Sequence, residues 1–78
     1  MTNSVDNIGN KISMIRKNKN ISQRELAQKA NLSQSFISHL EHGKRNPTLN
    51  TLQSIAHALD IPLNKFLLFI IDEIKDIS

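Results

Sequence analysis

The chain of 78 residues contains no cysteine, tryptophan or tyrosine, and only two glycines and two prolines. Without cysteine it cannot form disulfides, thiolate zinc sites or a cysteine nucleophile. Its longest apolar run, residues 66–71, is far too short to span a membrane, and its first ten residues lack the basic and apolar regions of a signal peptide. These absences predict a cytoplasmic protein.

The length is enough for one domain, predicted to span residues 1–78, and leaves no room for an enzyme with a deep cleft. The chain has no glycine-rich phosphate loop, no His-Glu-x-x-His pair and no nucleophile elbow. We therefore expect a binding protein rather than an enzyme, with no cofactor and no evident small-molecule ligand.

Positive and negative charges are divided unevenly along the chain. Residues 1–59 carry eight Lys and Arg against three acidic residues, a balance of +5, whereas residues 60–78 carry two basic against four acidic residues, a balance of −2. A basic body favours a polyanionic partner, although many small soluble domains carry such a charge on a solvated surface.

Apolar residues recur at helical spacing in five segments, and no segment alternates with period two, so the predicted fold is all-α. The first helix is predicted from about residue 5 to 18, with a turn at Asn20. Ser22 and Ser33 are expected to cap two short helices joined by a turn at residues 31–33, and Gly43 to end the second of them.

A fourth helix is predicted after the cap residue Thr48, and a fifth over residues 62–78, where proline is tolerated in the first turn. The fourth helix has five apolar positions: Leu49, Leu52, Ile55, Ala56 and Leu59.

Helices 2 and 3 and their short turn have the pattern of a DNA-binding helix-turn-helix. Opposite the apolar stripe of helix 3, formed by Phe36, Ile37 and Leu40, the residues are uncharged and hydrogen-bonding: Gln34, Ser35, Ser38 and His42, with His39 at the edge. Such side chains suit base edges in the major groove, whereas a solvated face would more often carry Lys and Glu. Basic residues lie around the rim, where phosphates would pass: Arg16, Lys17, Lys19, Arg24, Lys44 and Arg45.

Residues 8–68 resemble the Xre-type family of phage repressors, Cro proteins and bacterial regulators. The resemblance rests on SQRELA at 22–27, Ser-Gln-Ser before Phe-Ile at 33–37, Leu-Glu-x-Gly-Lys-x-x-Pro at 40–47, and the amphipathic helix that follows. It implies a five-helix phage-repressor-like fold that binds a palindromic operator in double-stranded DNA as a homodimer. Small controller proteins of restriction–modification systems have the same layout.

The resemblance also implies roles for single residues. Four positions of helix 3 would contact bases: Gln34, Ser35, Ser38 and His39. Phosphate contacts are implied for Gln23 and for the loop that contains Lys44, Arg45 and Asn46, and Arg24 is added because of its charge. Arg16 and Glu41 match the positions of a structural ion pair. Asn31 stands where the family has a turn glycine.

The fifth helix has more apolar surface than one core can cover. On a helical wheel, the stripe that would dock on the domain comprises Phe66, Leu67, Ile70, Ile74 and Ile77. Other apolar residues lie on its flanks. An exposed apolar patch of that size is rare in small monomers, so we expect a two-fold homodimer. Its predicted contact comprises Phe66, Leu68, Phe69 and Ile71.

One alternative to a transcriptional regulator stays open at this point. The chain could be an antitoxin-type protein-interaction module whose DNA binding is only autoregulatory. His39 and His42 have the spacing of a metal pair, but no third ligand accompanies them in the sequence, so no metal site is expected.

Overall fold

The structure, a computed structural model, describes residues 4–71, with side chains described from Ile8 onward. This range contains five α-helices and no strand, which confirms the all-α prediction. The helices are α1 (Ser4–Asn18), α2 (Gln23–Ala30), α3 (Gln34–Glu41), α4 (Leu49–Ala58) and α5 (Leu63–Ile70). None of them is long and apolar enough to cross a membrane.

Three helices begin at hydroxyl caps, as predicted. Ser22, Ser33 and Thr48 each accept a hydrogen bond from the backbone N–H three residues later, at 3.0, 3.0 and 3.1 Å. The carboxylate of Glu25 does not reach back to complete a capping box; it lies 3.8 Å from Lys29 Nζ, one turn further along α2.

Four helices end in the same type of turn, in which a residue with positive φ reverses the chain. The four residues are Asn20, Asn31, Gly43 and Asp60, with φ between 58° and 74°. Among them, only the residue that follows α3, Gly43, is a glycine. The two backbone hydrogen bonds of a Schellman motif accompany each of them. Because asparagine and aspartate tolerate this conformation, the chain needs few glycines to make these turns.

The core is formed by one buried cluster to which all five helices contribute. α2 contacts α3 and α4, α1 contacts α3 and α5, and α4 contacts α5. The buried apolar residues are Ile12, Leu26, Ala27, Ala30, Ile37, Leu40, Ile55, Ala56, Leu59, Phe66 and Ile70. The core therefore joins the helix-turn-helix pair to the rest of the domain and fixes the orientation of α3.

Gly9 lies where α1 crosses the C-terminal end of α3. A Cβ atom at this position would collide with the carbonyl oxygen of Leu40 and stand 3.0 Å from that of Glu41. Both neighbours are backbone atoms, so they cannot rotate away as a flexible side chain would. Gly9 thus permits a close helix crossing that the sequence pattern did not predict.

The structure shows that one apolar position of α4 is exposed, and it corrects the predicted extent of the last helix. Leu49, one of the apolar positions of α4, is 61% exposed and does not join the core; it is the first residue of the helix. α5 ends at Ile70, short of the predicted 62–78. Ile70 and Ile71 are β-branched and are poorer helix formers than Leu67 and Leu68 before them. Ile74 and Ile77 lie outside the described residues.

Candidate nucleic-acid interface

The helix-turn-helix unit is held by its turn and by small residues at the helix crossing. Ala27 is 3% exposed, and its carbonyl oxygen accepts a hydrogen bond of 2.9 Å from the N–H of Leu32 in the turn. Asn31 has the left-handed conformation (φ 59°, ψ 43°) that lets α3 leave α2 at an angle. Ile37 and Leu40 are fully buried beneath α3, so the opposite face of that helix points to solvent.

The outer face of α3 presents hydrogen-bonding groups that have no side-chain hydrogen bond to the described residues. Gln34, Ser35 and His39 are exposed and Ser38 is half-buried. In the described part of the chain, none of these four side chains takes part in a hydrogen bond. The Nδ1 atom of His42, by contrast, is 2.7 Å from the carbonyl oxygen of Ser38, so this ring folds back onto α3.

Beneath this face, Arg16 and Glu41 form the ion pair that the family resemblance implied. Arg16 Nε and Nη2 donate to the two carboxylate oxygens of Glu41 at 2.7 and 3.1 Å, and each residue is 7% exposed. Arg16 Nη1 also donates to the carbonyl oxygen of Ile21 at 2.7 Å, and Gln23 Nε2 donates to Glu41 at 3.0 Å. The network ties α1 and the start of α2 to the end of α3.

This pairing corrects the predicted rim of basic residues. Arg16 is 7% exposed, and its Nε, Nη1 and Nη2 atoms each donate a hydrogen bond inside the chain, so it is not accessible to phosphate on the surface. The other rim residues are exposed: Lys17, Lys19, Arg24, Lys44 and Arg45. Asn46, in the same loop as the last two, is exposed as well.

The loop after α3 is joined to the helix end by a backbone hydrogen bond and makes a cation–π contact with Phe36. The N–H of Lys44 donates to the carbonyl oxygen of His39 at 2.8 Å, which closes the helix end. The guanidinium carbon of Arg45 lies 5.1 Å from the ring centroid of Phe36, within the range of a cation–π contact. Phe36 was predicted as part of the apolar stripe, but it is only half-buried, because part of its ring faces this loop.

Among the described side chains, those of residues 8–71, no three His, Asp or Glu gather as metal ligands would. The polar surface of α3 and the basic loop beside it are the features that the fold brings together. Residues 12–66 match the protein family Helix-turn-helix, which is more than half of the chain. The chain belongs to the helix-turn-helix family.

Relatives of this helix-turn-helix protein include phage and bacterial regulators. The immunity repressor of Bacillus phage phi105 is 42% identical over 57 residues, which are 73% of this chain and 40% of the repressor. The control protein C.BamHI of Bacillus amyloliquefaciens is 38% identical over 63 residues, 78% of each protein. The chain thus spans less than half the length of the phage repressor and most of the control protein.

A solved structure shows the same fold on DNA. The restriction-modification controller protein C.Esp1396I, bound to a 25 base pair operator site, is 31% identical to this chain. The TM-score is 0.83, and the likeness covers 95% of this chain and 97% of that one.

The family match ends at residue 66, within α5, and three exposed apolar residues of this helix-turn-helix protein follow it. Leu68, Phe69 and Ile71 are 57%, 41% and 37% exposed; we call these three the α5 patch. Phe66, which was predicted at the same contact, is fully buried in its own core and has no surface to offer, because it lies one turn before Ile70 on the docked face. Lys11 Nζ lies 5.6 Å from the Phe69 ring centroid and donates to the Phe69 carbonyl oxygen at 3.2 Å.

Proposed function

We propose that the protein is a sequence-specific DNA-binding transcriptional regulator that inserts residues 34–42 into the major groove of a palindromic operator. The observation that carries this proposal is the outer face of α3, where Gln34, Ser35, Ser38 and His39 make no side-chain hydrogen bond within the described chain and all but Ser38 are exposed. Gln34 has the amide geometry for adenine N6 and N7, and the shorter Ser35 and Ser38 can pair with several bases. A relative with the same fold is solved on its operator.

The phosphate contacts are proposed at the start of α2 and in the loop after α3. Lys44, Arg45 and Asn46 are exposed in the loop after α3, and Arg24 is exposed in the first turn of α2. Gln23 uses one amide N–H for Glu41, which leaves the second for a phosphate oxygen. These contacts would set the register of the protein on DNA, whereas the α3 face would distinguish sequences.

We further propose that the α5 patch binds a second copy of the chain. A two-fold homodimer would cover the same patch on both copies and place two recognition helices about 34 Å apart, one turn of DNA. A palindromic operator has the same two-fold symmetry. The segment from residue 62 onward would then be the dimerisation segment of a single domain over residues 1–78.

The antitoxin-type alternative is less favoured, since the relatives are an immunity repressor and a control protein. The proposed activity is binding and regulation, and it does not call for catalysis. We assign it to the cytoplasm, where bacterial operators lie.

Selection of bound sites from a pool of random duplexes tests this function. We expect enrichment of one palindromic sequence whose half-sites are centred about 10 base pairs apart. A pool that remains random after repeated selection, although the protein is folded, would contradict sequence-specific binding.

A further inference from the structure

The contact between Phe36 and Arg45 joins the helix proposed to contact bases to the loop proposed to contact phosphates. Phe36 belongs to α3, next to Ser35, whereas Arg45 belongs to the loop that follows the helix. Their side chains meet with 5.1 Å between the guanidinium carbon and the ring centroid. The Arg45 side chain contacts this ring and takes part in no ion pair within the described part of the chain.

We propose that Phe36 is a positioning residue for DNA binding, whose ring holds the Arg45 guanidinium beside the recognition helix in position for a backbone phosphate. The inference rests on the proposed function. An exposed arginine side chain samples many rotamers and loses that freedom when it binds, so a surface that already restricts it lowers the entropic cost of binding.

The chemistry of the guanidinium makes it suited to this arrangement. A guanidinium over an aromatic ring uses its flat face, and its N–H donors lie in its plane, where they remain available to phosphate oxygens. Lysine carries the same charge but has no flat face, so Arg45→Lys would keep the attraction to DNA and lose the positioning.

The Phe36 ring is held in place by its packing against the core. Phe36 is half-buried against the core, and its N–H donates to the Ser33 hydroxyl at the start of α3. The position of the ring is therefore fixed relative to Gln34 and Ser35 in the same turn. Arg45 would be held in a fixed register with the residues proposed to contact bases.

The test compares the affinity of variants for a duplex of random sequence and for a selected site. We expect Phe36→Leu, which keeps an apolar side chain but removes the ring, to weaken binding to both duplexes about two- to five-fold. Phe36→Tyr keeps the ring face and should bind like the unaltered chain.

A double-mutant comparison separates positioning from a general effect on folding. In an Arg45→Ala background, Phe36→Leu should cause no further loss. In a Lys44→Ala background, which removes a neighbouring charge of the same loop without touching the ring contact, Phe36→Leu should cause its full loss. An equal loss in the Arg45→Ala background would overturn the proposal.

A measurement without DNA keeps this inference distinct from the proposed function. The δ-protons of Arg45 should show an upfield NMR shift from the ring current of Phe36, retained in Phe36→Tyr and lost in Phe36→Leu. Absence of that shift in the unaltered chain overturns the positioning role, whereas failure of the unaltered chain to bind any duplex overturns the proposed function.

Discussion

Among single residues, Gln34 is the one whose contribution to base recognition can be measured most clearly. It is the first residue of α3, exposed and without a partner in the described chain. We expect Gln34→Ala to cost about 1–3 kcal/mol of binding free energy on the selected site, because a bidentate base contact is lost. Affinity for random DNA should barely change, since phosphate contacts supply it.

The matched control for this change is Gln53→Ala. Gln53 is also an exposed glutamine on a helix, but it lies on α4, outside the proposed interface. Its replacement should leave both affinities unchanged. Equal losses on the selected site and on random DNA for Gln34→Ala would show that Gln34 does not read sequence.

Glu41 is the residue on which the buried polar network depends. Its carboxylate accepts three hydrogen bonds, two from Arg16 and one from Gln23. We expect Glu41→Ala to lower the free energy of unfolding by about 3–5 kcal/mol, because it leaves the Arg16 charge buried without a partner. This is a large share of the stability of a small domain, and urea unfolding followed by circular dichroism measures it.

The double variant Arg16→Met with Glu41→Leu provides the comparison. Replacing both members of a buried pair by apolar residues of similar volume is often close to neutral. The double variant should therefore be more stable than Glu41→Ala alone. If Glu41→Ala unfolds at the same urea concentration as the unaltered chain, the network does not stabilise this fold.

At the scale of helices, the crossing of α1 over α3 depends on the absence of a side chain at Gly9. In an exposed helix interior, glycine to alanine would stabilise by roughly 1 kcal/mol through helix propensity. Here the added methyl group meets the backbone of Leu40 and Glu41, so we expect Gly9→Ala to destabilise by about 1–3 kcal/mol. Thermal unfolding measures whether the midpoint falls or rises, and Asn10→Ala, at the exposed neighbouring position, is the control. A raised midpoint for Gly9→Ala would contradict the close crossing.

The helices themselves could be predicted from the sequence because their signals are local. The hydroxyl caps and the positive-φ residues Asn20 and Asn31 act within three or four residues of a helix end, and the structure confirms them. The family resemblance supplied the Arg16–Glu41 pair, whose members are 25 residues apart.

What the sequence pattern did not predict depends on contacts between distant elements. The role of Gly9 depends on which helix crosses α1 at that position. A helical wheel assigns Phe36 to the core because it contains no information on the loop with Arg45, which packs against part of the ring. The roles of Gln34, Ser35, Ser38 and His39 in base contact stay predictions.

At the scale of the whole molecule, the α5 patch determines whether the protein acts as one copy or two. We expect the unaltered chain to sediment as a dimer at tens of micromolar, and Phe69→Asp to give a folded monomer, since a charge cannot be buried in an apolar contact. Loss of the second half-site should weaken operator binding about 100-fold.

The control for the dimer is Leu49→Asp, which places the same charge on an apolar residue that is 61% exposed at the start of α4 and is not part of the α5 patch. This variant should remain dimeric. Sedimentation of the unaltered chain as a monomer at those concentrations, or dissociation of both variants alike, would contradict the proposed contact.

The central claim is that this helix-turn-helix protein recognises a DNA sequence, not only DNA charge. The most direct test is a titration of the unaltered chain with the selected palindrome and with a scrambled duplex of the same composition, at one salt concentration. We expect the palindrome to bind about 1,000-fold more tightly or better, as specific regulators do. Equal affinity for the two duplexes would contradict the claim.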